Sequence, residues 1–322
     1  MDAPRSRRRS APFLIGLVAI LAALPLGYFL FLHRPPAPPP PPPPVVEAPR
    51  PEAPPEKRPM ELKLEEIRGT VEVRRGGGQW RTVSVGEALH SSDAVRTREG
   101  SYAVIIGGEA VEVRMEAGAE VSVEALTDSL SRLLLGTGMT TARVKMGDGQ
   151  TLEMKAAGSD AVARTQGGTF TMSNNGAGTV ALATLVGEVA FSGSRKVVIV
   201  RAGQQSIVRP GREPSAPTPI PTSLLLKVNW PTRPPRREVV VSGQTDPGSQ
   251  VNVAGRVVPT DEEGRFSQVV PLEEGSNTVQ VHARSVGGLH QEEKRELAVD
   301  TTPPLPVKVD PGLWDDPRPQ GR

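Results

Sequence analysis

The chain has 322 residues, a formal charge of +2 and no cysteine. The missing cysteines exclude disulfides, thiolate metal sites and cysteine nucleophiles, so any folded part holds together by burial alone. Residues 1–12 carry Arg5, Arg7, Arg8 and Arg9 against Asp2, a local +3 that leaves about −1 for the remainder, so no basic domain exists to hold nucleic acid.

Residues 13–32 are twenty consecutive uncharged residues, Phe13 to Leu32. At about 1.5 Å per residue this run spans roughly 30 Å, the hydrocarbon thickness of a bilayer, and predicts one N-terminal transmembrane helix. The basic flank then belongs in the cytoplasm, with Arg5, Arg7, Arg8 and Arg9 as topology determinants. Everything from His33 onward is exported, which gives a single-pass inner-membrane protein with its C-terminal domains in the periplasm. A cleaved signal peptide shares these features. The run ends in Gly27, Tyr28, Phe29, Leu30, Phe31 and Leu32 without a small-x-small cleavage site, which favours a retained anchor. Pro25 is a tolerated membrane proline.

Residues 33–59 are a proline-rich stalk, with fourteen prolines between Pro35 and Pro59. Such a stretch is expected to run as extended polyproline II, on the order of 75 Å at most, and to hold the next domain away from the membrane.

Between 60 and 209 the pattern changes to short apolar alternations broken by glycine. Thr70 to Arg74, Ala110 to Met115 and Glu120 to Glu124 each alternate with period two, as half-buried strands do. Glu112, Glu116, Glu120, Glu124 and Asp128 are read as the solvated side of two strands joined by a turn rather than as a calcium ladder. Gly69-Thr70-Val71-Glu72-Val73 matches Gly187-Glu188-Val189-Ala190-Phe191, and Val85-Gly86-Glu87 matches Ala202-Gly203-Gln204. Two such units suggest a β-roll or short solenoid.

Residues 210–223, with five prolines from Pro210 to Pro221, are a second linker. Residues 224–300 then yield about seven short strand candidates with turns at Asp246-Pro247-Gly248-Ser249 and Asp261 to Gly264, a small antiparallel sandwich of immunoglobulin type. Prolines between the two β-domains imply that each folds independently. Residues 301–322 are expected to be a disordered tail. The fold class is thus an all-β exported region behind one transmembrane helix.

Residues 66–209 resemble the FecR domain through Gly69 to Val73, Gln79-Trp80-Arg81-Thr82-Val83, Val85-Gly86, Asp93 to Thr97, Gln166 to Phe170, Thr184 to Val189 and Val200 to Gln204. The resemblance implies that these are turn glycines and core positions rather than catalytic groups. The C-terminal part resembles the immunoglobulin-like module appended to some glucodextranases, through Ser242 to Val251, Gly255, Asp261, Gly264-Arg265-Phe266 and Leu272 to Asn277. FecR proteins use a cytoplasmic anti-sigma domain. Residues 1–12 are too short to form one, so direct sigma-factor sequestration is not expected.

Hydrolase, zinc-protease and P-loop motifs do not occur. His282 and His290 flank the Val286-Gly287-Gly288 turn, but without a third ligand they are read as surface histidines. Gly136-Thr137-Gly138, Gly147-Asp148-Gly149 and Ser173 to Gly178 are read as turns or loop tips. Trp80 is placed in the core and Trp230 between the domains. Trp314, with no evident fold to bury it, is the candidate partner contact. The resulting expectation is a non-enzymatic envelope protein without metal or cofactor, presenting β-domains to a protein partner or receiving a signal. A cell-wall glycan module and a transmembrane signalling regulator are the alternatives.

Overall fold

The structure is a computed structural model describing residues 11–32, 61–127, 129–145, 147, 149–231 and 237–301. It divides into two compact units, Met1–Glu56 and Lys57–Arg322. In the first, helix α1 (Ala11–Gly27) passes into a wider π-type turn over Tyr28–Leu32, three residues after Pro25, which has no N–H to give to helical bonding. Ile15–Leu32 carries no charge and is long and apolar enough to cross a membrane. Its large side chains are exposed all round, as suits a helix with no polar face. Arg5, Arg7, Arg8 and Arg9, the proline-rich 33–59 stretch and Trp314 lie outside the described residues.

The second unit is built of strands. Its larger module contains β1 (Leu62–Arg68), β2 (Val71–Arg74), β3 (Trp80–Thr82), β4 (Ala88–Leu89), β5 (Ala94–Thr97), β6 (Tyr102–Gly107), β7 (Val111–Met115) and β8 (Glu120–Leu126). There follow β9 (Leu130–Val144), β10 (Thr151–Ala156), β11 (Val162–Thr165), β12 (Gly168–Asn174), β13 (Val180–Gly193), β14 (Lys196–Arg201), β15 (Gln204–Val208) and β16 (Thr218–Pro219). Alternation sets the faces: in β7, Val111, Val113 and Met115 are buried while Glu112 and Arg114 are half-exposed.

Pairing arranges these strands in two sheets. One runs β4-β1-β6-β7-β9-β12-β13-β15-β16. The other runs β3-β2-β5-β8-β9-β10-β11-β13-β14. Among the described residues of this module only β9 with β10 is parallel. The long strands β9 and β13 belong to both sheets. Residues 138–144 of β9 pair with β12 and residues 130–135 with β10. Likewise 180–187 of β13 pair with β12 and 188–193 with β14. Fully buried Phe170, Phe191, Leu133 and Met154 belong to the core cluster of this module.

Glycines sit where the chain changes sheet. Gly138 (φ 90°) lies within β9 and Gly187 (φ 78°) within β13, so Gly136-Thr137-Gly138 is a strand crossing and not the turn expected from sequence. Gly69 (φ 76°) does the same job between β1 and β2, the match the repeat predicted. Its second half holds too: Gly86 N–H donates to Leu64 O (2.7 Å) and Gly203 N–H to Thr184 O (2.8 Å). Thus β1-β2-β3-β4 and the two halves of β13 with β14 and β15 are two copies of one corner.

The smaller module packs a three-stranded sheet, β17 (Leu226–Asn229), β18 (Glu238–Thr245) and β21 (Arg265–Pro271), with a four-stranded one. The latter holds β19 (Gln250–Val253), β20 (Arg256–Val258), β22 (Gly275–Arg284) and β23 (His290–Val299). Val241 and Phe266 of the first sheet and Val251, Val281 and Leu297 of the second share one core.

Candidate functional site

Residues 210–221 do not separate the modules. Ser215 donates its N–H to Ile207 O (2.9 Å), Ile220 N–H reaches Gly203 O (2.9 Å), and β16 pairs with β15. The modules then meet directly. Met139, Ala181 and Ala183 form an apolar cluster with Val286, packed by Ile207 and Ile220. Around it, Gln250 Nε2 donates to Ala117 O (2.8 Å), Asn175 Nδ2 to Thr260 O (2.8 Å) and Ser173 Oγ to Gly248 O (2.5 Å). Arg284 Nη1 lies 3.0 Å from Glu116 Oε1, which Arg114 also holds at 3.1 Å. Two glycines permit the approach: a Cβ on Gly118 would come within 2.8 Å of Val257 Cγ2, and one on Gly248 within 2.3 Å of Ala181 Cβ. Independent folding, expected from the prolines, meets a shared apolar and polar interface instead.

Beside this junction opens a cleft of about 380 Å³, lined among others by Arg98, Asn175, Gln250 and Thr260. Two of its amide groups, those of Asn175 and Gln250, are already bonded across the junction. The cleft therefore reads as the rim of the interface.

Ser173 to Gly178, read from sequence as a loop tip, is a structural node. Asn174 Nδ2 lies 2.9 to 3.0 Å from the carbonyls of Leu135, Gly136 and Ala157 and ties the β9 crossing to β12. Three of the acids spaced four apart are each neutralised by a different base: Glu112 by Arg143 (3.3 Å), Glu120 by Arg74 (3.5 Å) and Glu124 by Lys155 (2.9 Å). Glu116 is buried rather than solvated. His282 faces Glu292 (3.8 Å), and His290 Nδ1 lies 3.1 Å from Gly288 O; they are not cross-strand partners. Among the described residues no group of three metal-ligating side chains forms.

Trp80 is not in the core. It lies half-exposed on β3, with the guanidinium carbons of Arg96 and Arg74 at 4.1 and 4.7 Å from its ring centroid. Its neighbour Glu72 accepts from Arg96 Nε (2.6 Å) and Arg98 Nε (2.7 Å), and these bonds hold its carboxyl below the usual carboxylate range. Trp230 packs against the smaller module's core and donates Nε1–H to Glu293 (3.2 Å), so it too misses its expected place between the domains.

Exposed apolar side chains in the β-unit include Val240 and Val269, paired across β18 and β21, and residues of β13 and β14. Val197 and Ile199 are 59% and 41% exposed, and Val186 is 52% exposed. In register Val197 and Ile199 stand beside Ser192 and Ala190, then Val162 and Arg164 of β11, whereas Val186 lies in the other half of β13, opposite Thr169 of β12.

This is an all-β body of two coupled modules following one apolar N-terminal helix. No known family profile and no curated protein matches the chain. Two crystal structures of a candidate anti-sigma factor from Parabacteroides distasonis are similar at 14% identity and a TM-score of 0.34, covering 39% of this chain and 59% of that one. A polysaccharide lyase is similar at 10% identity and a TM-score of 0.20, over 76% of this chain and 40% of its own. This chain spans less than two thirds of either.

Proposed function

We propose that this is a non-enzymatic, membrane-anchored envelope protein that presents its coupled β-modules to a protein partner outside the cytoplasm. Residues 13–32 are the single span, the N-terminal arginines its cytoplasmic flank, residues 60–209 a FecR-like domain and 224–300 an immunoglobulin-like one. The observation that carries the reading is the uncovered apolar face of β14, where Val197 and Ile199 face solvent. Exposed apolar patches on soluble modules mark interaction surfaces. Sugar rings need a bare aromatic face, and the arginines stacked on Trp80 oppose a glycan-binding reading.

Site-specific photo-cross-linkers placed one at a time at Ile199, Arg143, Glu238 and Val269 of the full chain in native membranes test this. A discrete protein adduct, identified by mass spectrometry, is expected from at least one position. Adducts with cell-wall glycan alone would overturn the proposal.

A further inference from the structure

The free edge of β14 is built to accept another strand. The β13–β14 hairpin turns through Ser194 and Arg195, both at positive φ (45° and 67°), and its register is unbroken from Gly193–Lys196 to Glu188–Arg201. In a two-residue hairpin the closing pair is hydrogen-bonded and alternate pairs follow. Gly193–Lys196, Phe191–Val198 and Val189–Val200 are then the bonded pairs, and the N–H and C=O groups of Val197, Ile199 and Arg201 point away from β13. The Arg201 amide bears this out, since it donates instead to Gln204 Oε1 (3.0 Å). Among the described residues β14 pairs with no strand but β13.

Folded proteins blunt such edges with short strands, proline or charge. The other three edges of these two sheets follow the rule: β3 has three residues, β4 has two, and β16 has two of which one is Pro219. In the smaller module the ten-residue edge β23 carries Glu292, Glu293, Lys294, Arg295 and Glu296. β14 has six residues, Lys-Val-Val-Ile-Val-Arg, with neither proline nor inward charge between its ends.

Charge selects the occupant. Arg195, Arg201 and neighbouring Arg164 have no carboxylate within salt-bridge distance among the described residues, whereas Arg96, Arg98 and Arg132 each have one within 2.7 Å. A second copy paired antiparallel along β14 would bring Arg195 towards its Arg201, Lys196 being already paired with Glu213 (2.8 Å), and like charges across a pair destabilise it. We infer that β14 binds by strand addition an extended, β-branched peptide segment of another protein whose ends are acidic. Main-chain bonds at Val197 and Ile199 supply affinity, and the arginines fix register and polarity. The inference rests on the proposed protein-binding role and names the partner's chemistry.

The test uses the full chain in detergent and three fluorescein-labelled peptides. One is Asp-Thr-Val-Thr-Val-Thr-Val-Asp, one has lysine at both ends, and one has proline in place of the central valine. Anisotropy should show the acidic peptide binding at least tenfold tighter than either control. Ile199→Lys and Val197→Lys, both at exposed positions, should each weaken it at least tenfold, while Val269→Lys in the smaller module leaves it unchanged. Hydrogen exchange at the Val197 and Ile199 amides should slow on binding. Equal affinity for the proline peptide, indifference to both lysine variants, or a β14-to-β14 cross-link would overturn the inference. A partner adduct in native membranes at Arg143 or Glu238 but not Ile199 would sink it while leaving the protein-binding role standing.

Discussion

Trp80 carries the residue-scale argument, because its ring is stacked on two guanidinium groups instead of packed inside. Removing a core indole costs about 3 to 5 kcal/mol, whereas exposed cation–π contacts contribute about 0.5 to 1 kcal/mol each. Trp80→Ala should therefore lower unfolding free energy by about 1 to 2 kcal/mol in a urea titration. Beside it, Glu72 is held below its ordinary value of 4.5 by hydrogen bonds from Arg96 and then Arg98. A carboxyl depressed in the folded state adds stability that is fully present above 4.5 and is lost as pH falls through the folded value. Urea midpoints of the wild type and Glu72→Gln should differ at pH 7 and converge in acid; a constant gap would show that the ion pairs contribute nothing. The aromatic at position 80 was legible in the sequence, but its side was not. Trp80 opens a three-residue strand, too short for alternation to fix a face.

At the scale of elements, the sheet crossings decide the fold. Gly138 sits at φ 90° inside β9, and a Cβ there would lie 2.5 Å from the Ala119 Cα. Gly86 has a similar φ of 89° with open space around it. Gly138→Ala combines left-handed strain of about 1 to 2 kcal/mol with overpacking of about 1 to 3 kcal/mol, so it should cost about 2 to 5 kcal/mol. Gly86→Ala should cost only the strain, about 1 to 2 kcal/mol. Chemical denaturation of both variants compares them directly, and equal losses would remove the crossing from the explanation. The internal repeat reads correctly from sequence because each copy needs glycine at the same corner. The β9 crossing does not, since Gly136-Thr137-Gly138 has the same local signature as a turn.

For the molecule as a whole, the junction sets cooperativity. Val286 is buried in a cluster drawn mostly from the other module. An aspartate there would place an unpaired charge in an apolar contact, a cost that separation of the modules relieves. Calorimetry of the full chain should show one transition for the β-unit, and Val286→Asp should split it into two. Two transitions in the wild type would show that the contact is too weak to couple them. Arg5, Arg7, Arg8 and Arg9 make a separate prediction: a reporter inserted after Pro59 is active only if it works outside the cytoplasm, and changing the four arginines to Glu impairs insertion. Activity of a cytoplasm-only reporter at that position would reverse the proposed topology.

The amino-acid sequence by itself determined the apolar N-terminal helix, the all-β character of the unit that follows it, the duplicated corner and the inward faces of well-alternating strands such as β7. Each of these depends on short-range regularity: an uncharged run, a period of two, a glycine where φ must be positive. Tertiary structure decided that β9 and β13 serve two sheets, that Trp80 stays outside, that Glu116 is drawn into the junction and that 210–221 packs instead of spacing. It also decided that β14 is left at an edge. Those outcomes depend on which distant segments pair, and strand alternation specifies a side chain's face without naming the strand or module that will cover it.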